Sequence, residues 1–282
     1  MSDAPKQRVA LVIGSGGLKC AAALGTWRRL TEAGIGIDFV VGCSGGAIFG
    51  ALVALGFAPE QAVKTAMLAW KSDVTSQVNY RDIAEMALPK WLKFSERFGI
   101  FRDAPILRGF EAAYGKFTMF EHTRIPFHVV CTDLLTGEPV VITRGRLVDA
   151  VRASAGIPLL FEPREVDGRL LVDGALSDPL PVDVAVRAGA DLIIAVGFET
   201  PPQKDVRTVG AYAMQMFSNM TNQLLAYQFA SASLMHHAEI ITIVPPFEYN
   251  IGLNDVAKIP FIIEQGALAV EPHLDYLKRL LG

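Results

Sequence analysis

Gly42-Cys43-Ser44-Gly45-Gly46 sets a serine among glycines, at the seam between the run IDFVVGC (37–43) and an alanine-rich run. The pattern is G-x-S-x-G. Between a strand and a helix it has a mechanism: a sharp turn lifts the hydroxyl off the sheet edge, and the next helix aims its N-terminus at it. That chemistry is nucleophilic attack on a carbonyl; a tight structural turn is the other reading. A second loop, Gly14-Ser15-Gly16-Gly17, ends the run RVALVIG (8–14). Its amides can receive an oxyanion. It is no nucleotide cradle. A dinucleotide fingerprint from Gly14 needs glycine where Lys19 stands, and a Walker loop needs Gly-Lys-Ser/Thr where the chain reads Lys19-Cys20-Ala21. A plain glycine turn stays open.

A serine hydroxyl needs a base. The five histidines, His122, His128, His236, His237 and His273, lie in no glycine-rich or loop-end context. Asp173 closes the apolar run LLVD and is followed by Gly174 and Ala175. A carboxylate there is costly unless paired or working; a helix cap is the structural alternative.

These residues need a scaffold. Short continuous apolar runs predict buried strands in a parallel sheet at 8–14, which ends in glycine, and at 37–43 and 191–198. Helices are predicted from Lys19 to Ala33, closed by Gly34, and from Ala47 to Leu55, closed by Gly56. Residues 60–120 read mostly helical, and strands resume at 125–133 and 139–145. A helix at 146–156 precedes a hairpin at 161–174 that turns at Asp167-Gly168. A short helix at Asp183–Ala188, a long apolar segment at 206–236 and a strand at 240–246 follow. Strand–helix alternation predicts an α/β fold: a single-domain three-layer sandwich over 1–282, with a mostly parallel central sheet and helices on both faces. Residues 199–282 add helix and strand elements to the same domain.

Composition narrows the function. The 282 residues carry a net charge of −3, with 51% apolar and 20% charged side chains, and the basic residues are scattered. That excludes a nucleic-acid stripe. Mean hydropathy is +0.33, which leaves room for a lipid-facing or subunit-facing patch. Three cysteines, Cys20, Cys43 and Cys131, lie in apolar runs and predict buried free thiols. No Cys/His or acidic spacing calls for a metal, and no cofactor is implied. The N-terminus lacks a signal-peptide pattern and no run is long enough to span a membrane, so the expectation is a cytoplasmic protein, with peripheral membrane contact left open. In WLKFSERFGIFR (91–102), Trp91, Phe94, Phe98 and Phe101 read as core first and as a membrane-touching face second. Met214, Met216 and Met220 read as core first, and as an acyl tunnel or dimer face second.

Four blocks in order resemble the patatin-like phospholipase family over roughly Arg8–Phe198: ALVIGSGGLK, VVGCSGGAIFGALVALG, FHVVCTDLLTGEPVVI and ASAGIPLLFEPREVDGRLLVDGALSDPLPVDVAVRAGAD. The resemblance implies a lipid acyl hydrolase with a serine–aspartate dyad and no catalytic histidine. By position, Ser44 is the nucleophile and Asp173 the base, with Gly16, Gly17 and Gly45 as oxyanion donors. Gly14, Ser15, Lys19, Gly42, Gly46, Gly174 and Ala175 support the motifs. The family's Gly-Gly-Gly-x-Arg-Gly reads Ser15-Gly16-Gly17-Leu18-Lys19-Cys20 here, so lysine replaces the planar arginine fork. The expected substrate is a lipid or other acyl ester. Thioester cleavage or acyl transfer on the same dyad, a triad using His236, His237 or His273, and a catalytically idle binding module are the alternatives.

Overall fold

Alternation along the strands decides the architecture. In β1 (Val9–Ile13) the side chains of Val9, Leu11 and Ile13 join one buried cluster, while Ala10 and Val12 join another. β7 (Leu192–Val196) divides in the same way. A strand buried on both faces lies in a sheet covered on both sides. This computed structural model describes residues 7–70, 77–81, 96–201, 206–207, 209–235, 238–247 and 251–282.

Among the described residues the sheet has eight strands. β2 (Phe39–Cys43), β1, β7 and β8 (Glu239–Ile243) pair in parallel, and β2 pairs in parallel with β3 (Phe127–Asp133). β4 (Pro139–Ile142) and β6 (Arg169–Asp173) both run antiparallel to β3, and β5 (Arg164–Val166) pairs with β6. The β5–β6 turn falls at Asp167 and Gly168, both at positive φ, as its Asp-Gly sequence predicts.

One face is deep. It carries α1 (Ala22–Glu32), α2 (Gly45–Ala54), α3 (Pro59–Ala69), α4 (Ala104–Tyr114) and α5 (Leu147–Ser154). The C-terminal α8 (Ile259–Val270) and α9 (Leu274–Leu281) belong to the same layer. All ten residues of α2 are buried, which suits a helix with no charged side chain. The other face is thin, with α6 (Val182–Arg187) and α7 (Val209–Met235).

Two sequence expectations shift. The helix expected from Ala47 starts at Gly45, directly after the serine. Met216 and Met220 are not core: they are 48% and 59% exposed on α7. α7 explains this by its length. Its 27 residues span ~40 Å, whereas a five-residue strand spans ~17 Å, so a crossover helix of that size overhangs the sheet it returns to. Phe98 is buried and Phe101 packs its ring 6.0 Å from Phe161, as a core reading expects. Trp91 and Phe94 lie outside the described residues.

Candidate active site

The register of β3 brings the two key side chains together. β4 covers one edge of β3 from Val129 to Thr132. β2 pairs with β3 at Phe127–Val130 and β6 at Cys131–Asp133, and each overlaps the stretch that β4 occupies. Both must therefore use the opposite edge. There β2 and β6 approach from opposite directions and meet end to end, with Cys43 opposite Val130 and Asp173 opposite Cys131. Ser44 leaves the tip of one strand and Asp173 ends the other. Their 129-residue separation in sequence closes to 2.7 Å, with Ser44 Oγ donating to Asp173 Oδ2.

Ser44 stands at φ 56° and ψ −124°, an uncommon conformation for a side chain with a Cβ, and helix α2 begins at the next residue. The turn needs glycine after it. A Cβ on Gly45 would lie 2.2 Å from the Gly17 carbonyl oxygen, and one on Gly46 would lie 2.1 Å from that of Ile13. The nucleophile turn and the first glycine loop are thus packed backbone to backbone. Gly42 lies within β2, and Gly174 is equally confined, against the Val130 carbonyl.

Asp173 is fully buried. Burial pushes its carboxyl up to about 7, against the hydrogen bonds from Ser44 and the Ala175 amide and the more distant charge of Arg152. The Ala175 amide donates to Asp173 Oδ1 at 2.9 Å, so both oxygens are engaged. That bond is also a helix-cap bond, so the structural reading of Asp173 and the chemical one hold together.

The first loop is tied down at Gly14 and Ser15, whose amides donate to the carbonyls of Val196 and Pro179. Gly16, Gly17 and Gly45 line the same cavities as Ser44, and no described residue accepts a hydrogen bond from their amides. Three donors beside a serine at a helix N-terminus suit a developing oxyanion. Lys19 does not point its charge at the serine. Its buried ammonium donates to the Glu199 carbonyl at 2.6 Å and to Thr200 Oγ1 at 2.9 Å, and burial lowers it to about 8.

Three positioning residues escaped the sequence reading. Ser154 Oγ accepts the Ser44 amide at 2.8 Å and donates to the Val130 carbonyl at 2.6 Å, bridging α5, β3 and the nucleophile turn. Thr132 Oγ1 donates to the Asp173 carbonyl at 2.9 Å. Arg152 is fully buried, pairs with Asp103 and lies 5.1 Å over the Phe161 ring. Ser154 lies in the ASAG segment ahead of Pro158, within a block quoted above, and its small-residue context gave no chemical signal.

Among the described histidines, none bonds to Ser44 or Asp173; His236 and His237 lie outside the described residues. All three cysteines are buried and free, and burial raises each thiol. Among the described residues no His/Cys/Asp/Glu group could hold a metal, and no helix is long and apolar enough to cross a membrane.

Comparison with known proteins shows the family and the fold. The family model "Patatin-like phospholipase" matches residues 11–186. An uncharacterized NTE family protein of Mycobacterium tuberculosis is 38% identical over 201 residues, 70% of this chain and 52% of that one. Patatin-like phospholipase domain-containing protein 7 of Rattus norvegicus is 33% identical over 215 residues, 72% of this chain and 14% of the relative. The chain thus spans about half the length of the mycobacterial relative and a smaller part of the rat one. The crystal structure of VipD from Legionella pneumophila shares the fold, with a TM-score of 0.52 at 16% identity over 97% of this chain and 67% of VipD.

Proposed function

Because the chain belongs to the patatin-like phospholipase family, we propose that it hydrolyses the carboxylic ester bonds of lipids through Ser44 and Asp173. Family membership supports lipid hydrolysis in general. The observation that carries the finer reading is the 2.7 Å bond from Ser44 Oγ to a carboxylate whose other oxygen is already held.

Ser44 Oγ attacks the ester carbonyl as its proton passes to Asp173 Oδ2. The carbonyl π-electrons move to oxygen, and the oxyanion takes the amides of Gly16, Gly17 and Gly45, where one such donor is worth ~2.7–4 kcal/mol. Collapse expels the alcohol, which receives the proton from Asp173. Water then attacks the acyl-enzyme with Asp173 again as base, releasing the acid and restoring Ser44. An ordinary aspartate near ~4 is a weak base for a hydroxyl. Burial improves it, because the carboxylate becomes neutral as it takes the proton, and neutral is the form that burial favours.

The lipid contact, we propose further, is the outward stripe of α7. Residues 209–235 contain no Asp, Glu, Lys or Arg, and Tyr212, Met216, Met220 and Tyr227 stand exposed there. Met214, Phe217 and Thr221, on the same helix, line the cavity at Ser44. A lipid leaving a surface under α7 thus has a short path to the serine.

A fluorophosphonate probe and p-nitrophenyl esters test the chemistry. Wild type is expected to label and turn over, and Ser44→Ala to do neither. Label kept by Ser44→Ala would refute the nucleophile. Replacing His236, His237 and His273 by alanine should leave turnover intact; its collapse would replace the dyad with a triad. Thioester substrates and added alcohol acceptors, run in parallel, separate hydrolysis of oxygen esters from the neighbouring chemistries.

A further inference from the structure

Two compartments of opposite character meet at Ser44. One is a narrow, mostly closed space of about 30 Å³ between α2, α3, α4 and the loop after α5, walled by Ile48, Trp70, Ile106, Phe110 and Phe161. The other is an open trough of about 390 Å³ under α7, where Ser15, Lys19, Thr200, Ser218, Thr221 and Asn254 supply polar groups among apolar ones. Ser44, Gly17, Ile157 and Leu253 line both. Leu253 and Ile157 therefore form the partition. Leu253 is anchored, because Trp70 Nε1 donates to its carbonyl at 2.6 Å.

We propose that the closed compartment receives the acyl chain, that its walls at Ile106 and Phe110 restrict the enzyme to short chains, and that the trough takes the alcohol side of the ester. This rests on the ester hydrolysis proposed above. The assignment follows from desolvation. The side chains that wall the closed space are apolar, so a polar alcohol would lose its water there without replacement hydrogen bonds. An alkyl chain loses nothing of that kind and gains burial. The trough can satisfy glycerol or a headgroup. Size follows from volume. A site of about 10–15 Å³ holds one water-sized group, so 30 Å³ admits ~2–3 non-hydrogen atoms beyond the carbonyl. Longer chains must displace packed side chains. Phe110 is held on its own helix by ring stacking on Tyr114 at 5.8 Å, and Tyr114 is fixed by a bond from its hydroxyl to the Ile48 carbonyl.

The experiment is a series of p-nitrophenyl esters from acetyl through butyryl and octanoyl to dodecanoyl, read as kcat/KM. Wild type should peak at acetyl or butyryl and fall by at least ~10-fold at octanoyl, in line with the ~10–200-fold discrimination that one methylene brings in an apolar pocket. Ile106→Ala and the milder Phe110→Leu, each checked for a native melting transition, should move the peak to longer chains. Met214→Ala, in the trough, should change the preference among alcohol groups at fixed acyl chain and leave the acyl peak in place. An acyl peak unmoved in both Ile106→Ala and Phe110→Leu, or moved by Met214→Ala alone, overturns the assignment while ester hydrolysis stands. No turnover of any ester and no fluorophosphonate labelling would remove hydrolysis itself, and this proposal with it.

Discussion

The two faces of the sheet are held by different means. On the deep face, α2 is buried at every position and the nucleophile turn touches the first glycine loop backbone to backbone. On the thin face, Leu225 is the one buried side chain described on α7. Phe217 and Phe229 pack partly buried against the same cluster, and polar staples add to them. Asn222 exchanges two hydrogen bonds with the Thr200 backbone, and Gln228 accepts the Leu180 amide while donating to Asp178. Both faces border the same serine. The difference teaches that the Ser44–Asp173 pair is set by packing that tolerates no added atom, while the proposed substrate route is covered by an element with fewer buried side chains. Parts of a structure with few buried contacts open at lower free energy than the core.

Gly46→Ala gives the largest contrast. The new methyl would sit 2.1 Å from the Ile13 oxygen and 2.6 Å from the Gly14 oxygen, and neither backbone atom can yield cheaply. A loss of more than ~3 kcal/mol in urea unfolding is expected, or no soluble protein. A loss below ~1 kcal/mol would break the claim that the turn is set by close packing.

Asp173→Asn comes next and divides stability from activity. Burial raises the folded carboxyl to about 7, while the unfolded chain titrates near ~4. A raised carboxyl favours the protonated fold. That contribution is fully present below the unfolded value and is lost as pH climbs through about 7. The asparagine variant should therefore match wild type near pH ~4 and exceed it by ~2–4 kcal/mol at pH ~8, at ~1.4 kcal/mol per pKa unit. Its turnover should fall at least ~10³-fold, within the range for losing an acid–base group and its orientation. The wild-type kcat/KM should rise with pH through an acid limb near 7. A limb near ~4 would mean that Asp173 is not held dry in solution.

Asn222→Ala and Gln228→Ala probe the thin face directly. Each removes partly exposed hydrogen bonds at a cost of ~1 kcal/mol. Their clearer signature should be local: faster proteolysis and amide exchange within α7, with β1, β2 and β3 unchanged. Uniform acceleration across the sheet would show that the two faces unfold as one unit.

Legibility followed the same division. Ser44 and the strand before it could be read because a continuous apolar run ending in G-x-S-x-G is a local signal. The turn at Asp167-Gly168 and the buried cysteines are local as well. Asp173 could be singled out as a costly carboxylate, but its meeting with Ser44 depends on β2 and β6 sharing one edge of β3, a tertiary fact that no window of residues contains. Ser154 stayed hidden for the same reason: its hydroxyl matters only because α5 lands beside the turn. The error on Met216 and Met220 came from composition. An uncharged, methionine-bearing run reads as core unless one knows that its crossover overshoots the strands it connects.

That overshoot leads to the smallest effect on the fold and the sharpest on location. Met216→Ser with Met220→Ser alters two side chains that are 48% and 59% exposed, so unfolding free energy should change by less than ~0.5 kcal/mol. If α7 meets lipid, the pair should reduce sedimentation with zwitterionic phosphatidylcholine vesicles severalfold, because adsorption scales with the apolar area inserted. Salt supplies the control. With no charged residue from 209 to 235, adsorption through this stripe should be the same in low and high ionic strength. Binding that requires anionic lipid and vanishes in salt would assign the contact to basic side chains elsewhere. A concentration-dependent mass in light scattering that the same two serines abolish would instead make the stripe a seam between copies of the chain. The substitutions separate these cases because they remove apolar area and no charge, so whichever assembly they weaken is the one that α7 holds together.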